Sequence, residues 1–113
     1  LRVSVEEFLF DLGYEVESFN NGDDAFDAAY SKSYNLLILD IKVPGMDGFE
    51  VLKALRDRDI MTPTLFVTSL TEVDSLATGY ELGCCDYIKK PYDLKELQIR
   101  VEHALKSECL NAK

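Results

Sequence analysis

The chain has 113 residues, enough for one domain with one core and too few for two. Hydrophobic residues make up 47% and charged residues 29%, the balance of a soluble globular protein, and no apolar run approaches the ~20 residues that a membrane helix needs. A net charge of −9, from 21 acidic and 12 basic residues, argues against direct nucleic-acid binding by this domain, because phosphate contacts need clustered Lys and Arg.

Leu1, Val5, Phe8, Leu9 and Leu12 recur at helical spacing, and Gly13 ends the pattern as a C-cap would. The same stretch carries Glu6, Glu7 and Asp11, unlike a signal peptide. Tyr14–Phe19 alternates apolar and acidic side chains and predicts a strand. Asn20-Asn21-Gly22 is turn chemistry, with Asp23 placed to cap a helix whose narrow face is Ala25, Phe26, Ala28, Ala29 and Tyr30.

The run Leu36–Leu39 stops at Asp40 and has no alternation, which predicts a strand buried on both faces. Pro44-Gly45 is a turn, and Asp47-Gly48 opens a helix carrying Phe49, Val51, Leu52 and Leu55. Pro63–Val67 predicts a second buried strand, ending at Thr68-Ser69. A weaker helix over Glu72–Leu82 is closed by Gly83, and Tyr87-Ile88 is a short strand before Lys90-Pro91. The last helix is expected over Asp93–Leu105, and residues 107–113 form a tail or the start of a linker.

Helices and strands that alternate in this way imply a parallel sheet covered on both faces. Ligand sites in such folds lie beyond the carboxyl ends of the strands. Here those ends carry Asp40, Thr68 and Lys90: a carboxylate nucleophile, a hydroxyl donor and a fixed positive charge. Each alone has a plain structural reading as a turn cap, a strand-end threonine and a solvated lysine. Together they are the parts that phosphoryl transfer needs, since its catalysis is positioning plus charge neutralisation.

Three segments carry a resemblance. Leu36-Leu37-Ile38-Leu39-Asp40-Ile41-Lys42-Val43-Pro44-Gly45-Met46-Asp47-Gly48, Phe66-Val67-Thr68-Ser69 and Gly83-Cys84-Cys85-Asp86-Tyr87-Ile88-Lys89-Lys90-Pro91 resemble, in order and spacing, the receiver domains of bacterial response regulators. The resemblance covers residues 1–106. Glu96-Leu97-Gln98-Ile99-Arg100-Val101 is similar to the last helix of the subgroup that carries a winged-helix DNA-binding domain.

The resemblance implies a flavodoxin-like, doubly wound parallel sheet of order 2-1-3-4-5. It implies that Asp40 takes a phosphoryl group from a sensor histidine kinase and that Thr68 and Lys90 bind the phosphoryl oxygens. Mg²⁺ would be held by Asp40 and the backbone carbonyl of Lys42. The Lys90–Pro91 bond would be cis, and Tyr87 would be a mobile switch aromatic. A phosphorylation-dependent homodimer would use Asp86, Glu96 and Arg100, and a C-terminal DNA-binding domain would follow in a full protein. The implied setting is the cytoplasm, where the three cysteines would be reduced.

The chain departs from the pattern in several places. Val43 stands where Met is usual, Cys84-Cys85 where Ala-Asp is usual, and Leu76 where the DNA-binding subgroup often has Arg. Cys84 reads as small and buried, Cys85 as partly exposed. The first strand and its acidic Mg²⁺-binding pair fall before Leu1, and Glu6-Glu7 sit too close to Gly13 to replace them. Such a strand would be central, so the folded molecule is expected to obtain it from residues before Leu1 or from another chain.

Two enzyme or carrier readings fit less well. A dehalogenase-type phosphatase needs a second Asp where Lys42 stands, and a flavin carrier needs a phosphate loop after the first strand. The remaining alternative is a receiver-like module that binds partners without being phosphorylated.

Overall fold

The computed structural model describes residues 4–69 and 73–106, and for residues 73–76 the backbone alone. Helix α1 spans Val5–Asp11. Ser4 caps it reciprocally: Glu7 N donates to Ser4 Oγ at 3.1 Å and Ser4 N donates to Glu7 Oε1 at 3.3 Å. Glu7 is therefore committed to a helix start. The helix closes at Leu12, and Gly13 follows with φ of 100°, a conformation that glycine adopts without steric cost.

Helix α2 spans Gly22–Ser31 and is capped by Asn21, whose Oδ1 accepts from Asp24 N at 2.8 Å. The cap expected at Asp23 thus lies two residues earlier, and Asp23 joins the acidic first turn, where the helix dipole favours it. Strand β1 (Leu37–Asp40) leads to α3 (Gly48–Asp57), which opens on a capping box between Asp47 and Glu50. Strand β2 (Thr64–Thr68), α4 (Val73–Glu81), β3 (Asp86–Lys89) and α5 (Leu94–Lys106) complete the order.

The three strands form one parallel sheet with β2 in the middle. All five residues of β2 are buried. Successive side chains face opposite sides of a sheet, and β2 supplies one anchor to each. Leu65 packs with Leu9, Ile88, Leu97 and Val101 beneath α1 and α5. Phe66 packs with Ile41, Leu52, Cys84 and Tyr87 on the other face. Both faces are covered, as the alternating pattern requires.

Arg56 locks the far end of this unit. Its half-buried guanidinium donates to the carbonyls of Leu82 (2.9 Å), Ile60 (2.9 Å), Thr62 (3.1 Å) and Gly83 (3.3 Å). One side chain thus ties the end of α3 to the start of β2 and to the turn after α4.

Two expectations fail on the other side of β1. Tyr14–Phe19 is not a strand, and no described strand pairs with it. Isolated extended chain without a ladder partner is not stable as a strand, whatever its alternation. The β1 residues are half-buried, not buried on both faces. Along the β1 edge that β2 does not pair runs a groove of about 1030 Å³, lined by Leu9, Val16, Phe19, Leu36, Ile38 and Val101 among others. The segment is fastened at its rim instead: Lys32 Nζ lies 2.9 Å from Glu17 Oε2, and the Tyr34 hydroxyl donates to Glu17 Oε1.

Candidate phosphoryl-transfer site

Asp40 is the last residue of β1, Thr68 the last of β2, and Lys90 follows the last of β3. Parallel pairing aligns these ends: Asp40 sits opposite Val67, and Thr68 opposite Lys89. The ladder continues past the strands, with Ile41 N donating to Val67 O at 3.2 Å and Lys90 N to Thr68 O at 2.7 Å.

Lys90 reaches across the central strand to the first. Its Nζ lies 2.5 Å from Asp40 Oδ2, while Lys42 N donates to Asp40 Oδ1 at 3.0 Å. Both carboxylate oxygens therefore face donors. The Asp40 side chain keeps 32% of its surface open and that of Lys90 44%, so a reactant from solution can reach the pair. Thr68 is buried at 3% exposure. The Lys90–Pro91 peptide bond is cis.

Gly48 supports this arrangement in a way the sequence reading missed. Its N–H donates to Ile41 O at 2.9 Å, and a Cβ there would lie 2.9 Å from Asp40 O. The sequence reading saw only a helix start in Asp47-Gly48. The additional signal is a glycine eight residues after a strand-end acid, where α3 returns against the backbone it left.

Tyr87 is buried at 9% exposure, against Phe66 (centroids 5.5 Å apart) and Tyr80 (5.4 Å). Burial, above all, pushes its hydroxyl up to about 12. Cys84 is a buried free thiol, also pushed up to about 12, chiefly by burial, whereas the half-buried Cys85 is disulfide-bonded, against the expectation that all three cysteines are reduced. Asp86, Glu96 and Arg100 meet within one chain: Arg100 Nη1 lies 2.7 Å from Asp86 Oδ2, and Arg100 Nε 3.1 Å from Glu96 Oε2. The side chain of Leu76 lies outside the described residues.

A carboxylate, a buried hydroxyl and a lysine thus stand together at the carboxyl edge of a parallel sheet. The chain belongs to the response regulator receiver domain family, whose sequence pattern matches residues 1–102. It is the receiver domain of a two-component response regulator.

The chain is 43% identical over 103 residues to the transcriptional regulatory protein CrdR of Helicobacter pylori, which covers 90% of this chain and 48% of that protein. It is 40% identical over 106 residues to the transcriptional regulatory protein CiaR of Streptococcus pneumoniae, with 94% and 47% covered. The chain thus spans about half the length of the curated relatives it matches. Among solved structures, the Francisella response regulator 1452 receiver domain superposes with a TM-score of 0.84 at 27% identity, covering 90% of this chain and 84% of that one. The Vibrio cholerae chemotaxis protein CheY4 gives a TM-score of 0.81 at 30% identity, with 88% and 85% covered. Among the described residues, no helix is long and apolar enough to cross a membrane.

Proposed function

We propose that Asp40 is the phosphoacceptor of this receiver. A carboxylate oxygen of Asp40 attacks the phosphorus of a phosphohistidine on a sensor kinase. The new O–P bond makes an acyl phosphate as the N–P bond breaks, and the histidine nitrogen leaves with the bonding pair. The observation that carries the reading is Lys90 Nζ held at 2.5 Å from Asp40 Oδ2 across the central strand, because that ammonium neutralises charge where phosphoryl oxygens would arrive. Thr68, at the end of the intervening strand, supplies the hydroxyl for another oxygen.

Mg²⁺ fits the chemistry of the donors, since it takes one or two carboxylates with waters and phosphate oxygens. Asp40 and the Lys42 carbonyl would hold it. No group of three or more His, Cys, Asp or Glu side chains that could hold a metal occurs among the described residues; in the family an acidic pair joins the phosphoacceptor in holding the ion. When bound, the ion would supply charge neutralisation for the phosphoryl oxygens.

The domain works as a signalling switch in the cytoplasm and not as a turnover enzyme. Phosphorylation would add ≈ −1.5 to −2 charge at this edge. Thr68 would then move toward the phosphoryl group, and Tyr87 and α4 would follow. The altered face of α4, β3 and α5 would pair two copies through Asp86, Glu96 and Arg100, and a DNA-binding domain beyond this one would convert pairing into transcriptional control.

The test is incubation with acetyl phosphate or phosphoramidate and MgCl₂, read by intact mass. The parent chain is expected to gain one phosphoryl group, and Asp40→Asn none. Persistent labelling of Asp40→Asn would overturn the assignment. A parent chain that stays unlabelled while binding the kinase would favour a partner-binding module that works without phosphorylation.

A further inference from the structure

Cys84 and Cys85 are neighbours in sequence and opposites in chemistry. Cys84 is buried among Ile41, Leu52, Phe66 and Tyr87 and remains a free thiol. Burial pushes that thiol up to about 12, so at neutral pH it offers almost no thiolate, the form that reacts. Cys85 is half-buried and disulfide-bonded. The chain has three cysteines, and with Cys84 free the only partner left within it is Cys109, which lies outside the described residues.

The fold brings the two positions within reach. Cys85 N donates to Thr64 O at 2.7 Å, which fixes Cys85 where β2 begins and directly before β3. From the far end of β3, α5 runs back along the sheet, and Arg100 in its middle meets Asp86, the residue after Cys85, at 2.7 Å. From Arg100 to the helix end at Lys106 is about 9 Å along the axis. Cys109 follows three residues later, and an extended chain covers roughly 10 Å in that span. The ~4.4–6.8 Å Cα separation of a disulfide is therefore attainable.

We propose that Cys85 and Cys109 form a reversible redox latch that, when closed, straps the chain after α5 to the start of β3. The inference rests on the cytoplasmic setting proposed above, because disulfides in that compartment are usually transient or redox-sensing. Closure oxidises both thiols by exchange with a disulfide of the glutathione class. One protein thiolate attacks a sulfur of the glutathione disulfide and releases one glutathione. The second thiolate attacks the mixed disulfide and releases the other. Two protein thiols lose their protons, and two glutathione thiols gain them. The closed bond encloses β3, the Lys90–Pro91 turn and α5 in one covalent loop, together with the contacts of Arg100 to Asp86 and Glu96. Reduction removes the strap and leaves α5 to its packing and ion pairs. The burial of Cys84 keeps it out of the exchange.

The experiment equilibrates the full chain with reduced and oxidised glutathione at graded ratios, quenches in acid, alkylates the denatured protein with N-ethylmaleimide, and reads intact mass and a peptide map. The oxidised chain is expected to take one maleimide, on Cys84, and to yield a linked Cys85–Cys109 peptide, and the reduced chain to take three. The closed form should melt on the order of 10 °C above the open one, since the cross-link constrains the unfolded chain. Cys84→Ala should keep the latch, and Cys109→Ser should abolish both the linked peptide and the melting difference. A linked peptide that contains Cys84, a bond between two chains, or three maleimides at every ratio would overturn the proposal. A bond that survives the most reducing ratio would also overturn it, because the disulfide would then be a permanent staple. Asp40→Asn should titrate as the parent does, so the latch and the phosphoacceptor reading stand or fail separately.

Discussion

The two sides of β1 differ in how they are held. On one side, β2 and β3 continue the ladder, every β2 residue is buried, and Arg56 ties three segments together by their carbonyls. On the other, residues 14–21 lie along a groove with no described strand; Tyr14 and Val16 pack on the edge of the Leu65 cluster, and Glu17 is tied to Lys32 by an exposed polar contact. The acid, hydroxyl and lysine of the site all belong to the first side or its border. The proposed phosphoryl chemistry would thus rest on the half of the molecule whose geometry the ladder fixes, which is what a site that works by positioning needs.

The largest effect expected from this difference is in core truncation. Leu65 is fully buried between α1, α5 and β3, so Leu65→Ala should cost about 2–5 kcal/mol. Val16 is half-buried at the groove, and Val16→Ala should cost less than ~1 kcal/mol. Urea unfolding of both variants checks the ratio. Equal losses would mean that the groove side is as tightly packed as the ladder side.

Arg56 gives the next largest effect. Arg56→Met keeps the apolar stem but leaves four carbonyls without their donor, and a loss of about 2–3 kcal/mol is expected. Burial holds the Arg56 guanidinium below its ordinary value, yet it stays charged at neutral pH, so the loss should change little between neutral and mildly acidic melts. A cost near zero would show that water replaces the clamp.

How much of this was legible in the sequence follows the same division. The strand-end positions of Asp40 and Thr68 and the Lys90-Pro91 turn were readable because continuous apolar runs mark strands buried between two layers. The helix starts at Asp47 and Asp93 were readable from capping chemistry, and Asp93 Oδ1 does accept from Glu96 N at 2.8 Å. Tyr14–Phe19 misled because alternation reports a face and not a partner, and strand formation depends on the neighbouring strand as much as on the sequence. Arg56 was invisible for a related reason: it binds carbonyls that lie up to 27 positions away in sequence.

A third prediction tests the ladder side with alkali. Burial pushes the Tyr87 hydroxyl from 10.0 up to about 12, so the folded state favours the neutral form. Its contribution is complete below the unfolded value and is lost as pH rises from about 10 toward 12. In a Cys84→Ala background, which removes a thiol pushed to about 12 and with it the second cause of the Tyr87 shift, Tyr87→Phe should abolish a loss of less than about 1 kcal/mol between pH 10 and 11. An alkaline limb that Tyr87→Phe leaves intact would place the titration elsewhere.

The smallest effect belongs to the groove side and appears at the opposite end of the pH scale. Glu17 is held below the ordinary carboxylate value of 4.5, first by the Tyr34 hydroxyl and then by Lys32. A depressed carboxylate contributes stability that is present above its unfolded value and is lost as pH falls through the folded one. The contact is open to water, with 44% of the Glu17 side chain and 59% of Lys32 exposed, so salt and solvent screen it. Glu17→Gln should therefore flatten only a shallow acid limb of the melting curve, and added salt should flatten the parent in the same way. The contact joins residue 17 to residues 32 and 34, all three of which line the groove. A melting loss in Glu17→Gln as large as that in Arg56→Met would contradict this account, because it would require the groove side to be held by a polar fastening as strong as the clamp on the ladder side.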